Sequence, residues 1–110
     1  MGEHIPQRHA LSFVRNLHAH NCRGMVISWA CYGGHGHVNK LQNFAVIGTI
    51  EPLGYVLDGP LTARFRQWPD RQTSFRKKNA SWSGRLLYDY FGHSLMVFRR
   101  VQPLTGYGCS

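Results

Sequence analysis

The chain has 110 residues, 43% of them hydrophobic and three of them tryptophan, which is enough for one compact core and too little for a second. Thirteen Lys and Arg against five Asp and Glu give a formal charge of +8, which favours acidic partners and carries no information about fold. No apolar run approaches the roughly 18 residues of a membrane span, and the opening Glu3, His4 and Pro6 do not form a basic-then-apolar leader, so a soluble, cytoplasmic chain is expected.

Ala10, Leu11, Val14, Leu17 and His18 recur at helical spacing behind Pro6, which predicts an amphipathic helix over 7 to about 20, closed by Asn21 and Gly24. The short apolar run from Met25 to Ala30 follows, flanked by breakers, and predicts a strand buried on both faces, the pattern of a parallel sheet. The string Gly33-Gly34-His35-Gly36-His37-Val38-Asn39 is then a loop at that strand's carboxyl end. Leu41, Phe44, Ala45, Ile47 and Ile50 return to helical spacing until about Glu51, where Pro52 stops them. Tyr55-Val56-Leu57 is a short strand, closed by the turn Asp58-Gly59-Pro60. One or two helical turns over 61–68 end at Pro69.

A polar, basic loop or insertion is expected at about 70–91, a last strand over 94–101, and a flexible tail over 102–110. The order predicts an α/β fold with both sheet faces covered. Cys22, Cys31 and Cys109 are odd in number and widely spaced, with no Cys-x-x-Cys pair. They are expected to be reduced, with Cys22 and Cys31 packing as small apolar groups beside the strand.

Several of these pieces, in this order, carry a resemblance. Glu3-His4-Ile5-Pro6, the helix, the strand ending Ser28-Trp29-Ala30, the Gly-Gly-His-Gly-His-Val-Asn string, the helix containing Asn43, Leu53-Gly54-Tyr55, Leu61-Thr62 and Leu95-Met96-Val97-Phe98-Arg99-Arg100 together resemble the C-terminal half of a class I S-adenosylmethionine-dependent methyltransferase domain. The likeness covers 1–101 with interruptions, and the glycine and histidine string is its most specific part. It implies a partial doubly wound, Rossmann-like sheet, of which this chain holds only the C-terminal strands and helices. In it the Ser-Trp-Ala strand is the fifth and the last strand is the seventh, antiparallel to its neighbours.

The resemblance also implies a methyl-transfer function on a small-molecule or protein substrate. S-adenosylmethionine is the cofactor of the intact family, but its glycine-rich turn and ribose-binding acidic residue belong to the half that precedes these elements. This chain alone is therefore expected to bind no cofactor and to be inactive. Glu3 and His4 fall where the family places residues beside the methyl donor or substrate, and a near-neutral imidazole there can serve as base or ligand. His35, His37 and Asn39 fall on the loop that walls the substrate pocket, at the strand end where open α/β sheets bind ligands. His-x-His without a third and fourth ligand makes a poor metal site, so no metal is expected.

A function of a different class is the alternative. The nine Lys or Arg between Arg64 and Arg100 are interleaved with Phe65, Trp68, Phe75, Trp82, Tyr88 and Tyr90, which would suit a non-enzymatic module binding RNA or an acidic protein surface. A partner or self-association that covers an open sheet edge is a further expectation, since the Met25-to-Ala30 strand has at most two later strands to pair with.

Overall fold

The structure, a computed structural model, describes residues 1–31, 36–67, 92–103 and 109. The basic segment at about 70–91, His35 and most of the tail therefore lie outside the described residues. A 3-10 turn, Gly2–His4, leads into α1 (Gln7–Ala19) and β1 (Gly24–Ser28). Next come α2 (Asn43–Ile50), which runs into the 3-10 turn Glu51–Leu53, then β2 (Tyr55–Leu57), α3 (Gly59–Gln67) and β3 (Leu95–Arg100). The fold is α/β, with one three-stranded sheet in the order β1-β3-β2.

Pro6 stands just before α1, its carbonyl accepting the His9 N–H at 2.8 Å. Val14 is buried, with Ala10, Phe13 and Leu17 packed beside it, whereas Leu11 turns to the far side and is exposed. At the other end the Asn21 Nδ2 donates to the Leu17 carbonyl at 2.6 Å and satisfies an acceptor that the helix leaves open.

The parallel sheet expected from the run at Met25 is corrected. β1 pairs antiparallel with β3 from Gly24↔Arg99 to Ser28↔Leu95, and β2 pairs antiparallel with β3 from Tyr55↔Arg100 to Leu57↔Phe98. Burial on both faces is corrected too, because Val26 is 58% exposed while Ile27 is buried. Apolar residues on both sides of a strand do not encode direction, and Met25, Ile27 and Trp29 form the alternate set that meets the core. That core is Val14 of α1, Ile27 and Trp29, Val46 and Ile50 of α2, Tyr55 of β2, and Met96 and Phe98 of β3.

β2 is only three residues long, so it covers β3 no further than Phe98. The remaining edge is satisfied from α3. The Asp58 N–H donates to the Val97 carbonyl at 2.8 Å, the Thr62 hydroxyl accepts the Val97 N–H at 3.0 Å, and the Arg66 Nε donates to the Leu95 carbonyl at 2.8 Å. Thr62 and Arg66 are four apart and share one face of α3, so that face, with the Asp58 N–H just before the helix, closes the edge. Asp58 also accepts the Leu61 N–H at 2.9 Å, capping α3, and pairs through its other oxygen with Arg99.

A polar network pins α1 to the sheet. The Arg100 guanidinium donates to the His18 and Asn21 carbonyls at 2.8 and 2.6 Å and lies over the Tyr55 ring. It also reaches the His18 Nε2 at 3.3 Å, which must accept, so the His18 proton sits on Nδ1 and points to the Tyr55 hydroxyl at 3.0 Å. Burial and the neighbouring Arg100 charge both hold His18 below its ordinary pKa, in keeping with that neutral tautomer.

The reduced state expected of all three cysteines is corrected: Cys22 and Cys109 form a disulfide, and only Cys31 is free. Their 87-residue separation gives no hint of the 5.5 Å between their Cα atoms, a distance that the fold alone creates. Among the described residues no helix is long and apolar enough to cross a membrane. Because the bond closes a loop of that length, its reduction is expected to lower the unfolding free energy by roughly 4–5 kcal/mol. Urea melts with and without dithiothreitol would check this, coincident curves being the contrary result.

Candidate functional site

The loop after β1 folds back onto the N-terminal turn. The backbone carbonyl of Glu3 accepts the N–H groups of Val38 and Asn39 at 2.8 and 3.0 Å, and the Asn39 carbonyl accepts the Trp29 indole N–H at 2.7 Å. Gly36 has φ +76°, a left-handed conformation that glycine adopts without strain, and a Cβ built there would sit 3.5 Å from the His4 Nδ1. This lets the Gly36 carbonyl come within 3.0 Å of that nitrogen.

Four of the five residues singled out in the sequence, Glu3, His4, His37 and Asn39, meet here. His35 lies outside the described residues. The Glu3 carboxylate is nearly buried, at 10% side-chain exposure, and its two oxygens are used differently. Oε2 accepts the Met1 ammonium at 2.6 Å and the Ala30 N–H at 3.3 Å. Oε1 lies 3.9 Å from the Nε2 atoms of both His4 and His37. Burial would raise the Glu3 pKa, but the ammonium and the N–H groups of Glu3 and Ala30 outweigh it and hold the group below its ordinary value.

The two imidazoles meet edge to face, with centroids 4.7 Å apart. The Gly36 carbonyl can only accept, so the His4 proton sits on Nδ1 and its Nε2 lone pair is presented to the cluster. His4 is half-exposed and the His37 side chain is buried, so the cluster opens to solvent on the His4 side. Asn39 is buried, and its Nδ2 has no acceptor among the described residues. An ionised carboxylate beside two imidazoles can relay or accept a proton and can hold a cation.

A second feature escaped sequence reasoning. A cleft of about 360 Å³ is lined by Cys31, Gln42, Asn43, Phe44 and His93. Two of these lining residues are joined, Asn43 Nδ2 donating to the His93 carbonyl at 2.7 Å across 50 positions of chain, a pairing for which no local pattern exists. No family model, curated protein or solved structure matches the chain.

Because Glu3 is held ionised, its stabilising contribution is fully present above its unfolded pKa near 4.5 and lost as pH falls through its lower folded value. Glu3→Gln is expected to cost about 1–3 kcal/mol at pH 7, and the difference from the parent should shrink on acidification to pH 3. Urea melts at the two pH values would check this. A difference that grows at pH 3 would contradict it.

Proposed function

We propose that this chain is the substrate-facing, C-terminal portion of a class I S-adenosylmethionine-dependent methyltransferase-like domain, inactive until joined to cofactor-binding elements it does not itself hold. The observation that carries this reading is the direction of β3. It runs antiparallel to both neighbours, between β1 and β2, as the resemblance expects of the last strand in a partial Rossmann-like sheet. The joining of Glu3 and His4 to His37 and Asn39 supports it independently, since the likeness had placed both pairs beside one pocket.

The described residues do not fit the cofactor itself. No strand among them precedes α1, and Asp58, the acidic residue that follows a strand, spends its oxygens on the α3 cap and on Arg99. The residues present therefore act on the acceptor: His4 or His37 takes a proton from its nucleophilic atom, and Glu3 stabilises the imidazolium that forms. The acceptor class consistent with this role is a small molecule or a protein side chain bearing a protonated nucleophile. The binding-module alternative rests mainly on Arg71, Arg76, Lys77, Lys78 and Arg85, which lie outside the described residues, while Arg66, Arg99 and Arg100 are engaged within the fold.

Calorimetric titration with S-adenosylhomocysteine separates the outcomes. The chain alone is expected to give no micromolar binding. Fused behind the glycine-rich N-terminal portion of a class I methyltransferase, it should support methyl transfer that falls roughly 100-fold in His4→Ala or His37→Ala. Micromolar binding by the chain alone would overturn the reading, and so would a folded, cofactor-binding fusion whose activity ignores both substitutions. Steeply salt-dependent binding to single-stranded RNA, lost in an Arg76, Lys77 and Lys78 triple alanine variant, would favour the alternative.

A further inference from the structure

The geometry points to a site for one divalent transition-metal ion at Glu3, His4 and His37. The sequence left His37 with too few partners for a metal, and the fold supplies them. One ligand atom from each of the three residues lies within 4.8 Å of the other two, and the Glu3 Oε1 stands 3.9 Å from each imidazole Nε2. Donors about 2.1 Å from one ion are roughly 3–3.4 Å apart, so the two 3.9 Å separations must shorten by about 0.5–0.9 Å, and any pair at the 4.8 Å limit by roughly 1.4–1.8 Å. His4 can supply much of that movement, because it is half-exposed at the edge of the cluster.

Two of the three ligands are already aimed. The Gly36 carbonyl takes the His4 Nδ1 proton at 3.0 Å, which fixes the tautomer that presents Nε2, the outer-shell arrangement usual for metal-bound histidine. On Glu3, Oε2 is held by the Ala30 N–H and the Met1 ammonium, leaving Oε1 towards the imidazoles.

The donor set decides the class of ion. Two imidazole nitrogens and one carboxylate oxygen suit zinc, iron, cobalt or manganese, whereas magnesium and calcium favour all-oxygen surroundings. Three protein ligands with one solvent-facing side leave coordination positions open, as in sites where a metal polarises a bound water or a substrate oxygen. The ligand such a site would take is an oxygen-donor molecule approaching from the His4 side. An Nε2 that holds an ion is no longer free to take a proton, so this site replaces the base role given above to His4 and His37; the proposal stands on geometry whether or not the chain belongs to a methyltransferase, and its test uses no methyl donor.

Zinc chloride would be titrated calorimetrically into the chelator-treated chain, and cobalt binding followed by visible absorption. One equivalent is expected to bind. His4→Ala and His37→Ala should each weaken binding by at least about tenfold, the lower end of what even outer-shell losses cost. His9→Ala, on the exposed face of α1, and Cys31→Ser should leave it unchanged. Circular dichroism would verify folding. Should the buried His37 variant fail to fold, the half-exposed His4 variant decides the matter. Absence of saturable binding, binding that ignores His4→Ala, loss of binding in Cys31→Ser, or ready displacement of zinc by millimolar magnesium would overturn the proposal.

Discussion

The carboxylate of Glu3 is shielded from water at the point where three separate pieces of chain converge: the N-terminal 3-10 turn, the end of β1 and the loop that follows it. An ionised group so placed costs several kcal/mol unless its oxygens find donors. It finds the Ala30 N–H and the Met1 ammonium, and the same residue's carbonyl takes the Val38 and Asn39 N–H groups. The neighbouring Gly2 lies against the Trp29 indole so closely that a Cβ there would overlap the ring. The turn therefore has one seat on the core, and the positions of His4 and His37 follow from it.

The rest of the sheet solves a different problem. β3 is the central strand, yet its partner β2 ends after three residues. An uncovered edge would leave backbone donors and acceptors unsatisfied; the Asp58 N–H just before α3, and Thr62 and Arg66 on one face of α3, supply partners for them. The cationic side chains near β3 are thereby drawn into structural duties. Arg100 joins α1 to the sheet, Arg99 meets the α3 cap, and Arg66 closes the edge.

Local signals were legible where local physics dominates. The periodicity of α1, the Tyr55–Leu57 strand and the apolar stretch of β3 appear close to where spacing put them, because each is governed by residues within a few positions. Strand direction was not legible, since the run from Met25 to Ala30 is equally apolar whether its neighbour is parallel or antiparallel. The Cys22–Cys109 bond and the Asn43–His93 contact span 87 and 50 positions, and nothing near either residue announces its partner. The site was half legible. Glu3 and His4 stood out at one end and His37 and Asn39 in the glycine-rich loop, but their meeting depends on backbone hydrogen bonds to the Glu3 carbonyl, which composition does not encode.

If Glu3 organises this corner, its loss should loosen the corner and spare the sheet. Amide hydrogen exchange by NMR in the parent and in Glu3→Ala tests that most directly. Protection of the Ala30, Val38 and Asn39 amides is expected to fall at least about tenfold, with the β1–β3 ladder amides unchanged, since local opening need not unfold the core. Protection that persists at all three amides, or falls equally across the ladder, would contradict a carboxylate that fixes the loop on its own.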